Sequence, residues 1–189
     1  MTLMSTTAKR EIEQARANLS RWILELAHET ADELGVRWRE ARIAPQTLDE
    51  VVDEFRAAML IGLPVRVFNR FCDQTIYLSP ADNVAFRFVH DSRHYFLRAG
   101  FETEPELLVA SCHLARLQRA GYPTGSIEHR LLEADTSGQT LFVTRTGHFV
   151  GNQLRFGLRC LNSSIDEAIA VEASAELEEQ RSSPTQLAQ

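Results

Sequence analysis

Two histidines and an aspartate stand together in the stretch Phe86-Arg87-Phe88-Val89-His90-Asp91-Ser92-Arg93-His94. In a helix, at roughly 100° per residue, Asp91 lies about 100° and His94 about 40° from His90, so the three share one side. Phe88 and Phe96 flank the group with apolar surface. Further on, Glu106 and His113 are seven residues apart. They point within about 20° of each other, roughly 10 Å apart along the axis, and grip one ion only if the helix bends or both side chains lean inward. Asp135 follows in Asp135-Thr136-Ser137-Gly138-Gln139, an acid at a glycine-containing break between helices. Imidazole and carboxylate groups on facing helices suit a divalent transition metal. The expectation is a pocket in which His90, His94, Glu106 and His113 bind iron, manganese or zinc rather than magnesium. Asp91 and Asp135 serve there as further ligands or as the general base.

Three site types compete for this pattern. His-Glu-x-x-His of zinc proteases needs a glutamate as base. Asp91 is one methylene shorter, which counts against a protease. A His-Asp phosphohydrolase needs the doublet His90-Asp91, a later acid such as Asp135, and an upstream histidine. The only upstream histidine is His28. It falls opposite the apolar stripe of its helix and is expected to face water. A helical carboxylate-histidine iron site finds Asp91-x-x-His94, with Glu106 and His113 as the second set, but no second Glu-x-x-His copy. The enzyme reading is thus a metal-dependent hydrolase or oxygenase acting on a small or nucleotide-like substrate. The alternative is an accessory protein whose polar cluster locks helices together and whose surface serves a protein partner.

Other reactive residues read more plainly. Cys112 adjoins His113, but neighbours on a helix point about 100° apart, which favours a buried thiol. Glu128, His129 and Glu133 form a polar helix face. Arg87 and Arg93 are placed to hold an anionic substrate or to pair with nearby acids such as Asp82. Arg66 and Arg70 are too few to form a nucleic-acid footprint.

The elements that must position these groups are mostly helical. Ser5-Thr6-Thr7 offers caps for a first helix over 8–34, striped by Leu19, Trp22, Ile23 and Leu26 and closed by Gly35. Helices follow near 47–61, 80–98, 105–120 and 126–134, then in pieces over 139–175. Ser79 caps the third, with Pro80 at its first position and Asp82 at the positive end of its dipole. The β-like runs 65–68 and 75–78 predict a small hairpin. The fold class expected is mainly α: one helical-bundle-like domain over 1–175 with a hairpin, and a disordered tail over 176–189.

Composition sets the outer bounds. The chain has 189 residues, 44% hydrophobic and 24% charged, with a net charge of -6. Such a chain buries a core without metal or disulfide staples, and its acidity argues against nucleic acid as a partner. No apolar run reaches membrane-spanning length. Three cysteines without CxxC spacing exclude a disulfide framework and a thiolate zinc site, and fit a reducing cytoplasm.

One resemblance covers roughly residues 75–140. The order Ile76-Tyr77, Ser79-Pro80, Phe86-Arg87-Phe88-Val89-His90-Asp91, His94, Gly100-Phe101, Glu106, His113 and Asp135-Thr136-x-Gly138-Gln139 resembles a family of poorly characterised proteins of phages, plasmids and conjugative elements. Gln153 and Phe156 extend it. The resemblance implies that His90, Asp91, His94, Glu106, His113 and Asp135 belong to one site, and it implies no particular reaction. Pro105 stands where relatives favour glycine, so Glu104 is the alternative carboxylate to Glu106.

Overall fold

Ile12, Ala15, Leu19, Trp22, Ile23 and Leu26 recur every three or four residues, and all are buried along α1 (Thr6–Leu34). A computed structural model of the chain describes residues 6–182, and side chains as far as residue 179. The expected cap at Ser5 therefore lies outside the described residues. α1 ends where Gly35 takes a φ of +64°, and the Val36 N–H donates to the Ala31 carbonyl at 3.0 Å. His28 is exposed, on the face expected.

The chain continues through β1 (Trp38–Ala41), α2 (Leu48–Ile61), β2 (Val65–Phe68), α3 (Pro80–Leu97), α4 (Thr103–Arg119) and α5 (Ile127–Glu133). A π-helical segment (Ala134–Gly138), α6 (Gln139–Thr146), α7 (Gln153–Cys160) and α8 (Ile165–Ser182) complete it. The fold is mainly α, as expected. No helix among the described residues is long and apolar enough to cross a membrane.

The hairpin expected over 65–78 does not form. Val65–Phe68 is a strand, but it pairs in parallel with Trp38–Ala41, Trp38 opposite Val65, and α2 is the crossover. The run 75–78 is irregular because α1 already satisfies its backbone. The Arg16 guanidinium donates to the carbonyls of Ile76 (3.1 Å) and Tyr77 (2.8 Å), and Ser20 Oγ accepts from the Leu78 N–H at 2.9 Å. Backbone groups filled in this way have no need of a strand partner.

Two further expectations change. Asp135–Gly138 is not a break: the π-helical segment carries the helix through from α5 to α6. Gly138 serves there for a different reason: a Cβ would meet the Phe156 ring at 3.0 Å and push it aside by a few tenths of an ångström. The tail expected from residue 176 begins as helix, because α8 runs to Ser182. Glu176 is anchored, its carboxylate accepting the Gly151 N–H at 2.7 Å. Residues 183–189 lie outside the described residues.

The core fixes the rotation of α3. Phe88 is fully buried and stacked between Trp38 (4.8 Å) and Phe55 (6.0 Å). Burying such a ring contributes roughly 1.5–3 kcal/mol. His90 is about 200° around the helix from Phe88, so anchoring Phe88 turns the histidines away from α2 and toward α4. The helix start is equally defined. Ser79 Oγ accepts from the Asp82 N–H at 3.2 Å, and the Asp82 carboxylate accepts from the Ser79 N–H at 3.0 Å.

Candidate metal centre

α3 supplies His90 and His94, one turn apart, and the first turn of α4 supplies Glu106. The connection between the two helices is tight. Arg98 adopts a φ of +52° at the end of α3, stacking its guanidinium 4.9 Å from the Tyr95 ring centroid. This turn brings the Ala99 carbonyl to 2.9 Å from His94 Nδ1. Nδ1 donates that bond, so a neutral His94 presents a bare Nε2.

His94 Nε2 lies 3.0 Å from His90 Nε2. Glu106 closes the triangle, 3.3 Å from His90 Nε2 and 3.6 Å from His94 Nε2. Two imidazole nitrogens at such a distance cannot both point lone pairs at each other. A proton or a cation must lie between them. A metal held tetrahedrally at about 2.0–2.1 Å from each ligand spaces those ligands about 3.3 Å apart. His90, His94 and Glu106 are thus a group able to hold a metal ion.

Electrostatics reinforce the triangle. Burial alone would raise the Glu106 carboxyl. Hydrogen bonds from His90 and His94 overcome this and hold it down at about 2. Burial disfavours charge on His94, but Glu106 and the Ala99 carbonyl together raise its pKa. Position in the first turn of α4 also favours the Glu106 carboxylate through the helix dipole.

The other expected site residues sit differently. Asp91 lies within electrostatic reach of His90, His94 and Glu106, and burial raises its carboxyl to about 6. His113 stacks on His90 with 5.5 Å between centroids but is not one of the three grouped ligands. It is fully buried and both of its ring nitrogens lack a partner. Burial, then the nearby cations, depress its pKa well below that of an ordinary histidine. Asp135 is held by Gln139, which donates to its carboxylate at 2.8 Å, and burial raises it to about 7. Among the described residues no hydrogen bond or ion pair joins Asp135 to His90, His94 or Glu106. Glu104, the alternative carboxylate, is exposed.

Two residues of this neighbourhood were not singled out as site residues from the sequence. Phe101 packs 4.4 Å from the His94 ring. Phe86 touches His90 (5.6 Å), His113 (5.5 Å) and Tyr77 (5.5 Å), forming an apolar shelf under the histidines. Only their place within the resembling motif order marked them.

His113 yields a direct expectation. Each unpartnered buried nitrogen carries a desolvation cost of roughly 1–3 kcal/mol. His113→Leu should therefore raise the stability of the metal-free protein, by about 1 kcal/mol or more, in a urea unfolding titration. A loss of stability would mean that His113 has a partner that the structure does not show.

Compared with known proteins, the chain finds no matching family model, no matching curated protein and no matching solved structure.

Proposed function

We propose that the protein is a metal-dependent enzyme, a hydrolase or a non-haem iron or manganese oxygenase, whose ion is held by His90, His94 and Glu106. The observation that carries this reading is the triangle of ligand atoms with sides of 3.0, 3.3 and 3.6 Å. Three protein ligands leave at least one coordination position open, as catalytic sites require. The side chains of His90 and Glu106 each remain 19% exposed, so that position has a route to solvent. When bound, such an ion lowers the pKa of water or polarises a substrate oxygen. Two histidines with one carboxylate also match the ligand set of non-haem iron oxygenases.

The protein's own residues have separable parts in this reading. The Ala99 carbonyl fixes the His94 tautomer, the usual outer-shell support of a metal-binding histidine. Asp91, beside His90 on α3 and within electrostatic reach of all three ligands, is the candidate base. Asp135, held by Gln139 and neighbouring Tyr77 and Arg87, falls outside the reacting set. The motif order over residues 75–140 supports placing the protein among those of mobile genetic elements, acting on a small or nucleotide-like substrate.

A second reading makes the cluster a staple between α3 and α4. The complete burial of His94 and His113 favours it. Cobalt(II) substitution separates the two. With an open position, azide should bind the ion and shift its visible absorption bands, and Asp91→Asn should remain folded with those bands retained. Bands indifferent to azide, with an Asp91→Asn variant that unfolds, would leave only the staple.

A further inference from the structure

We propose that a second site, the cavity between α1, α3 and α4, binds a free nucleotide, with its phosphate on an arginine wall. The cavity has a volume of about 710 Å³, within the range of small-molecule sites of roughly 300–1,000 Å³. The proposal stands apart from the metal reading and needs no ion.

Arg93 from α3 and Arg116 and Arg119 from α4 line one side. The Arg93 guanidinium lies over the Phe96 ring, 5.2 Å from its centroid, which fixes the plane of the fork. Its Nε is buried and has no hydrogen-bond partner. Among the described residues, none of these three arginines has a carboxylate within 4.0 Å. Gathered guanidinium groups with a donor left unsatisfied are costly unless an anion completes them. Phosphate matches the guanidinium fork with paired, charge-assisted bonds.

The carboxylates that α1 adds to the lining, of which Glu33 acts on Arg93 at longer range, identify the rest of the ligand. Glu25, Glu29 and Glu33 project from α1 at four-residue spacing and line the same cavity without bridging to the arginines. Carboxylates accept hydrogen bonds from sugar hydroxyls and base amino groups, and they repel a second anion. They therefore pin the phosphate to the arginine side and leave the neutral part of the ligand to themselves. Phe96, 47% exposed, contributes apolar surface for a planar ring, with buried Trp22 only at the floor of the cavity. A polynucleotide would meet this acidic wall and a chain of net charge -6 along its whole backbone, which disfavours it.

Calorimetric titration of the full chain in EDTA tests this, with the four nucleoside 5′-monophosphates, the matching nucleosides, inorganic phosphate and a 5′-phosphorylated oligonucleotide as probes. At least one nucleotide should bind at least about tenfold more tightly than its nucleoside and than phosphate. Arg93→Gln with Arg116→Gln should weaken that binding by at least about tenfold, and the rim variant Arg119→Gln by less. The EDTA present throughout separates this binding from the metal centre. No heat with any nucleotide at millimolar concentration, undiminished binding in both arginine variants, phosphate binding as tight as the nucleotide, or tighter binding of the oligonucleotide would each overturn the proposal.

Discussion

Adding zinc or manganese to metal-stripped protein at pH 8 is expected to raise its melting temperature by about 8–16 °C. At a free metal concentration a thousandfold above the dissociation constant, binding to the native state alone contributes about 4 kcal/mol. Each kcal/mol moves a domain of this size by about 2–4 °C. The gain should shrink toward pH 5, because the ion must displace the proton that the two imidazoles share. The signs of the two linked groups agree with this. His94 has a raised folded-state pKa, so its contribution to the metal-free protein is present below its unfolded value and lost as pH rises through the folded one. Glu106 titrates at about 2 when folded. Its contribution is present above 4.5 and lost as pH falls toward 2. Above the raised folded-state pKa of His94 the metal-free protein thus lacks that contribution while Glu106 stays ionised. Scanning calorimetry at pH 5, 6.5 and 8 checks the trend. A melting temperature indifferent to metal at all three would contradict it.

Asp135→Asn is expected to stabilise the protein strongly at alkaline pH and hardly at all in acid. Burial raises this carboxyl, against the pull of Arg87 and the Gln139 hydrogen bond, from 3.8 to about 7. The folded chain therefore holds a proton there that the unfolded chain releases near pH 4. Stability falls as pH rises through that window and is lowest above it. The full interval from 3.8 to about 7 converts to about 4 kcal/mol, so a gain of about 2–4 kcal/mol at pH 8 is expected. Asparagine keeps an oxygen for Gln139 and never ionises. Urea titrations at pH 4.5 and 8 should show variant and parent converging in acid and parting in base. Equal stabilities at pH 8 would mean that Asp135 ionises there at no cost.

Much of this architecture was legible because its signals are local. The start of α3 announces itself: Ser79, Pro80 and Asp82 are all within one turn, and the capping hydrogen bonds form between them. The polar side of α3 was equally readable, because helical periodicity alone brings His90 and His94 together. Pairings between distant segments were not readable. β1 is four residues long, with Arg39 and Glu40 exposed, and nothing in Trp38-Arg39-Glu40-Ala41 says that its partner lies beyond α2. The run 75–78 has strand-forming residue types, but Arg16 and Ser20, about 60 positions earlier, claim its backbone.

The site divided along the same line. The seven-residue spacing of Glu106 and His113 already made a shared ion difficult, and the structure resolves this by giving Glu106 to the histidine pair and laying His113 against His90. Asp135 was drawn in as an acid at an expected break between helices and as the later acid that a His-Asp site needs. Gly138 made its surroundings read as a loop, whereas that glycine admits the Phe156 ring beside a continuous helix. Arg93 was read as an anion holder beside Arg87, but its grouping with Arg116 and Arg119 was not legible because those two come from a different helix.

The central claim is that His90, His94 and Glu106 hold one divalent transition metal. Metal content by plasma mass spectrometry, on protein purified without chelator beside His90→Ala, His94→Ala and Glu106→Gln, tests it most directly. Circular dichroism of each variant confirms its fold. About one ion per chain in the parent, and at least about tenfold less in each folded variant, is the result expected. Stoichiometric metal retained in all three variants, or none taken up by the parent when iron, manganese and zinc are supplied, would contradict the account.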